Sequence, residues 1–335
     1  MSMFSLILGG LARMNTALAD RGEGPAARGP PRRETRMTTE TTSPEKALAD
    51  VRKEIDAIDD AVHDLLMKRT ELVVEVAEAK AREASAAGAG SFIAFRPGRE
   101  AEVLRRLAAR HRGDLPLRVV FRLWREIIAA MTRIQGPFRV EVFGSEGGHA
   151  LGNWDLARSY YGSSTPMEMH ETARDMLRRL GNDRSAVGIL PEPGGYPGGD
   201  WWTALAANGQ LGLRVVARLP FIEVVRNEDE LRAYVVAQAD FEATGDDTSL
   251  LTLLTSESVS EARAVALAKA AGLDGVRIGQ ARVTDGAKAY ANLLAVAGFV
   301  GEDDPRLAAL SEGGVAEARI IGGYANPLRR ETDGE

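Results

Sequence analysis

The feature that most constrains this chain is an uninterrupted run without glycine or proline from Glu45 to Ala87. Just before it, Ser43-Pro44-Glu45-Lys46 reads as a helix start, with Ser43 as N-cap, Pro44 in the first helical position and Glu45 in the first turn. Apolar residues then fall at Leu48, Val51, Ile55, Ile58, Val62, Leu65, Leu72 and Val76. That three-and-four spacing is the stripe of one buried helical face. A helix of about 40 residues is about 60 Å long, too long for a small domain to cover alone. The stripe therefore predicts packing along a partner helix, from a second copy of the chain.

The same run carries cations on its apolar side. Arg69 comes seven residues after Val62, and Lys80 seven after Val73. The two are eleven apart, about three turns, and so point the same way. A lone arginine there would snorkel to solvent or pair with a glutamate one turn away. Lysine, however, is scarce: of 42 basic residues only six are Lys. Two cations on one line, one of them a rare lysine, are costly to desolvate unless an anion is held between them. Arg52 lies 17 residues before Arg69, about 100° around the helix. In a dimer it can serve the partner's pocket.

A break rich in glycine and small residues, Ser85 to Gly98, separates this helix from a second, Arg99 to His111, and a third, Leu117 to Gln135, which Gly136-Pro137 ends. Gln135 sits one helical step past Met131, on the side of the apolar face. One helical domain thus offers Arg52, Arg69, Lys80, Arg99, Glu100 and Gln135 near a core. The chain has no cysteine, and none of its four histidines sit at helical metal-ligand spacing. No metal site or cofactor is expected. That inventory suits a reaction that needs a clamped dianion and electrostatic stabilisation rather than proton transfer or covalent chemistry, such as a pericyclic rearrangement. The net charge of −6 argues against a nucleic-acid binder. No run reaches the roughly 18 to 20 apolar residues of a membrane span.

Val51-Arg52-Lys53-Glu54-Ile55-Asp56, Leu65-Leu66-Met67-Lys68-Arg69, Val76-Ala77-Glu78-Ala79-Lys80, Arg99-Glu100 and Ile127-Ile128 up to Gln135 together resemble the all-helical chorismate mutases. The resemblance covers Glu45 to Gln135. It implies an intertwined homodimer of three-helix domains and an isomerase that converts chorismate to prephenate. It also implies that Arg69 and the other copy's Arg52 grip the two substrate carboxylates. Lys80 and Gln135 would bond the ether oxygen, Arg99 would support the grip, and Glu100 would take the ring hydroxyl. Fork geometry suits arginine to a carboxylate, and a point-charge donor suits lysine to a single oxygen. Three departures stand out: Arg96 where the family usually has an acidic residue, Met131 where a serine is common, and a longer break between Lys80 and Arg99.

The remaining two hundred residues alternate strand and helix. Phe138 to Phe143 reads as a strand, Gly144 to His149 as a glycine loop, Asn153 to Tyr161 and Met167 to Leu180 as helices, and Ala186 to Leu190, Leu213 to Ala217 and Ala233 to Ala239 as strands. Asp240 to Asp247 reads as a polar linker. Beyond it, the order strand, helix, strand, strand, helix, strand is the ferredoxin-like plan.

This half resembles prephenate dehydratase followed by its regulatory ACT domain, carried by Val142 to Gly147, Ala186 to Pro191 and Ala318 to Tyr324. The dehydratase signature is degenerate. Gly148 stands for the glycine-loop threonine, Glu192-Pro193-Gly194-Gly195 for Glu-Asn-Ser, and Leu231-Arg232-Ala233 for Thr-Arg-Phe. The catalytic region also spans only about Phe138 to Asp240, so one lobe of the usual cleft is expected to be missing. Three readings stay open for this half: first a relic that stabilises the mutase, second a sensor for an aromatic amino-acid effector at the ACT-like domain, and last an active dehydratase.

The expected architecture is multidomain, α and α/β. Residues 1–40 form a disordered tail, with Met37 the expected start, and 41–137 a chorismate mutase domain. Residues 138–240 form a degenerate dehydratase-like α/β domain, and 241–330 an ACT-like α+β domain. The expected function is a cytoplasmic chorismate mutase in aromatic amino-acid biosynthesis. The alternatives are a bifunctional mutase/dehydratase and a catalytically dead dimeric binding protein.

Overall fold

The computed structural model describes residues 48–88, 92–144, 149–194, 199–207, 212–224, 231–285, 287–312 and 315–330. The expected tail, the Ser43–Pro44 helix start and most of the glycine loop, Gly148 included, lie outside these. The chain divides into two units after Ile58. The described part of the first is the opening turns of helix α1 (Leu48–Ala86), whose residues are all exposed. The second unit holds the rest.

No residue of α1 is buried. Leu65, Leu72 and Val76, expected on a buried stripe, are 67%, 53% and 47% exposed. The half-buried positions Leu66, Arg69, Thr70, Val73, Ala77, Lys80 and Ala84 form the neighbouring line, with Ala79 beside it. One long helix has two sides to cover, and this chain covers only one of them, in part.

Helix α2 (Pro97–Arg110) starts earlier than expected because Pro97 suits the first turn. Helix α3 (Leu117–Gln135) buries Val120, Phe121, Ile128 and Met131. Val120 and Phe121 share a core with strand β1 (Arg139–Phe143) and helix α4 (His149–Tyr161). In that core Phe95, Phe138 and Tyr161 pack with tilted or edge-on rings, their centroids 5.6 to 6.0 Å apart.

The stretch expected to be one helix from Met167 to Leu180 is instead strand β2 (Met167–His170) and helix α5 (Ala173–Asn182). Thr172 divides them. Its hydroxyl caps the helix by accepting from Asp175 N, while Met167 to His170 pair in parallel with β1. Then come β3 (Ala186–Pro191), α6 (Trp202–Ala207), β4 (Arg214–Leu219), β5 (Ile222–Val224) and β6 (Ala233–Ala237). Strand β6 is buried throughout, since helices cover both faces of the sheet there. The last elements are β7 (Asp247–Thr255), α7 (Glu261–Ala270), β8 (Gly275–Asp285), β9 (Ala287–Ala297), α8 (Pro305–Glu312), β10 (Glu317–Ala325) and β11 (Leu328–Arg330).

Nine strands form one sheet in the order β2-β1-β3-β6-β4-β10-β7-β9-β8, and β11 pairs separately with β5. The sheet is joined across its middle by the parallel pair Gly322 and Val215. At Gly322 φ is +115° and a Cβ would lie 2.1 Å from the Val215 carbonyl oxygen, so only glycine allows this approach. The stretch read as a linker is tied down. Arg105 of α2 donates to Thr244 Oγ1 (2.7 Å), Asp246 O (2.6 Å) and Asn326 O (3.1 Å). The Asp247 carboxylate accepts from the backbone N–H groups of Thr244 and Gly245. Among the described residues no helix is long and apolar enough to cross a membrane.

Candidate active site

A cavity of about 410 Å³ lies between α1, α2 and α3. Three turns of α1 set Arg69 and Lys80 on one line facing it, with Val73 and Val76 between them. The first turn of α2 contributes Arg99 and Glu100, and the last turn of α3 contributes Met131, Thr132 and Gln135. Five of the six expected polar residues therefore meet in one place. Arg52 is on the opening turns of α1 and does not line this cavity.

The side chains differ in how far they are already engaged. Arg69 is half-buried, and its Nη1 has no hydrogen-bond partner among the described residues. Burial holds its guanidinium below the usual arginine pKa. A desolvated donor with nothing to bond marks a place for an acceptor. Lys80 Nζ sits 5.5 Å from the Phe92 ring centroid. Its pKa is lowered, first by burial and next by Arg96; Glu242 and Glu83 pull the other way. Arg99 bonds Glu102 at 2.8 Å, and Gln135 Nε2 donates to Met131 O at 3.2 Å. Thr132 donates to Ile128 O.

Glu100 is 7% exposed and accepts from Arg125 Nη1 at 2.7 Å. Arg125 is itself 4% exposed, donates through Nε to Tyr160 O at 2.7 Å, and lies 3.5 Å over the Tyr160 ring. Burial opposes its charge, but Glu100 and the two tyrosines hold its pKa above the usual value. Sequence reasoning missed Arg125. Its signal was an arginine four residues after Phe121 and three before Ile128, inside the apolar stripe of α3. Two further cations line the cavity, Arg96 and Arg106. Arg96 donates to Glu242 Oε1 at 2.7 Å, a pairing across 146 residues that local sequence could not reveal.

Around the cavity stand five cations, Arg69, Lys80, Arg96, Arg99 and Arg106, against one lining carboxylate, Glu100. The lining residues include no serine, cysteine, histidine or aspartate. The arrangement can hold a dianion and stabilise charge that grows on an oxygen.

A family model described as chorismate mutase type II matches residues 51–136. Over this segment the chain is similar to the chorismate mutases of type II. The bifunctional chorismate mutase/prephenate dehydratase of Stutzerimonas stutzeri is 26% identical over 196 residues, 56% of this chain and 52% of that protein. Its namesake in Pseudomonas aeruginosa is 26% identical over 199 residues, with the same shares of the two chains. The chain thus spans about half the length of the curated relatives it matches. Prephenate dehydratase from Streptococcus mutans, a solved structure, covers 58% of this chain and all of its own at 14% identity, with a TM-score of 0.39. The matched segment is held by residues beyond its own bounds. Tyr160 braces Arg125, and Glu242 pairs with Arg96.

Proposed function

We propose that the chain is a chorismate mutase that converts chorismate to prephenate in aromatic amino-acid biosynthesis, in the cytoplasm. The observation that carries this reading is the meeting of Arg69, Lys80, Arg99, Glu100 and Gln135 around one cation-rich cavity. In this reading Arg69 takes one substrate carboxylate, using its unpartnered Nη1, and Arg99 supports that grip. Arg52 from a second copy takes the other carboxylate. Lys80 and Gln135 donate to the ether oxygen as the C–O bond lengthens and negative charge builds there. Glu100, held by Arg125, accepts from the ring hydroxyl. A million-fold acceleration needs about 8 kcal/mol, within reach of several preorganised charged donors in a partly dry site.

The homodimer belongs to the same proposal. The apolar positions Leu65, Leu72 and Val76 are exposed on α1, and a partner helix is the cover that their spacing fits. Residues 41–137 are assigned to the mutase, 138–240 to a degenerate dehydratase-like domain, and 241–330 to an ACT-like domain with an aromatic amino acid as its candidate effector. At Arg96, where related mutases usually carry an acid, Glu242 returns a carboxylate to the neighbourhood from the other half of the chain.

The names of the curated relatives favour a second reading, a bifunctional mutase/dehydratase. Against it, Glu192, at the place of the family's Glu-Asn-Ser, is taken by Arg218. One assay separates the two: purified chain given chorismate should consume it and accumulate prephenate. Phenylpyruvate formed near neutral pH would establish the bifunctional reading. No consumption of chorismate would reject both.

A further inference from the structure

A second cavity, about 560 Å³, lies beside the N-terminal half of α3. Its wall is apolar and partly aromatic: Leu104, Phe121, Tyr160, Pro220 and Phe221. Arg118, Arg122 and Arg125 also line it, spaced by four and three residues and so on one stripe of the helix. No carboxylate lines it. Arg118 and Arg122 are exposed and have no acidic partner among the described residues. Arg125 keeps Nη2 buried and without a hydrogen-bond partner. An apolar recess with a few convergent charged groups is the usual form of a small-molecule site, and here every lining charge is positive.

Arg125 also connects this recess to the mutase cavity. The same guanidinium that lines the recess holds Glu100, which lines the other. A bound carboxylate that draws Arg125 toward itself weakens its hold on Glu100, so the two sites share one group.

We propose that this recess binds a small carboxylate bearing an aromatic ring, and that occupancy is felt in the mutase cavity through the Arg125–Glu100 pair. The binding half stands by itself; the coupling half rests on the mutase reading above. The test uses the full chain and calorimetric titration with 3-phenylpropanoate, its primary amide and propanoate. Expected is saturable binding of the ring carboxylate, with at least tenfold weaker binding of the amide, which lacks the charge, and of propanoate, which lacks the ring. The Arg118→Gln/Arg122→Gln variant should lose at least tenfold in affinity while its mutase rate without probe stays unchanged. Equal binding of acid and amide, no binding at millimolar probe, or an unaffected double variant overturns the site. The coupling predicts that saturating 3-phenylpropanoate shifts the KM for chorismate severalfold, and that Arg118→Gln/Arg122→Gln abolishes the shift. An unchanged KM in the presence of proven binding overturns the coupling alone. Binding in a chain with no mutase activity would leave the site standing and reject the mutase reading.

Discussion

Replacing Arg125 with methionine tests the buried pair at the centre of the helical layer. The substitution keeps an unbranched apolar stem but removes the guanidinium, its charge and both 2.7 Å hydrogen bonds, to Glu100 Oε2 and Tyr160 O. The side chains of Glu100 and Arg125 are only 8% and 5% exposed, so water replaces little of what the abandoned carboxylate loses. Breaking a buried ion pair from one side costs about 3 to 5 kcal/mol. The stranded Tyr160 carbonyl adds to that, not fully additively, since an unsatisfied buried acceptor costs about 1 to 3 kcal/mol. The lining cations of the cavity offset part of the loss. A net destabilisation of about 4 kcal/mol follows. At a urea dependence near 3 kcal/mol per molar, that lowers the unfolding midpoint by somewhat more than ~1 M. Urea titration followed by circular dichroism measures it. The double variant Arg125→Met/Glu100→Gln removes the stranded charge and should recover over half of the loss. A single variant within about 1 kcal/mol of the parent, or a double variant no more stable than the single, would refute the reasoning.

Lys80 must be charged to act, and its pKa lies below the ordinary lysine value, so mutase activity should fall on the alkaline side at a lower pH than an unperturbed lysine sets. Arg96→Gln should move that limb up, and Glu242→Gln should move it down, in pH profiles of kcat; movement of both in one direction would contradict the electrostatic assignment. Tyr160 is pushed up to about 12, chiefly by burial, and Tyr161 well above its ordinary value for the same first reason. Their folded forms hold the proton more tightly than the unfolded chain does. The stability they contribute is therefore complete below pH 10 and drains away as pH rises through about 12, and Tyr160→Phe should flatten that alkaline loss in melting curves. Gly322→Ala should destabilise by about 3 kcal/mol or more, since it adds strain at a positive φ to a clash with Val215 O; a melting temperature within a degree of the parent would contradict the close strand approach.

The cavity was legible because helical spacing is local physics. Arg69 and Lys80 are eleven residues apart on one unbroken helix, so their shared direction follows from the period alone. Arg99, Glu100 and Gln135 were legible as polar residues at the ends of amphipathic helices. What holds them was not. Arg125 hid as one arginine among several on α3, and only burial against Tyr160 and Glu100 singles it out. The pairing of Arg96 with Glu242, and of β5 with β11, joins residues a hundred or more apart, where local pattern carries no information. The stretch from Met167 to Leu180 misled because Met-Glu-Met-His suits either helix or strand. The capping hydroxyl of Thr172 and the edge of β1 decided it. The long α1 was expected, but its apolar stripe is exposed in the single chain.

In the proposed mechanism a preformed cluster of charges in the helical layer rearranges chorismate. Steady-state conversion of chorismate by the full chain and by Lys80→Ala tests it most directly, with melting curves run on both. The parent should turn over at least ~10⁶ faster than the uncatalysed reaction. Lys80→Ala should lose about 10² to 10³ or more in kcat, the usual cost of removing one preorganised transition-state donor, at an unchanged melting temperature. A parent chain without turnover, or a Lys80→Ala chain as fast as the parent, would contradict it.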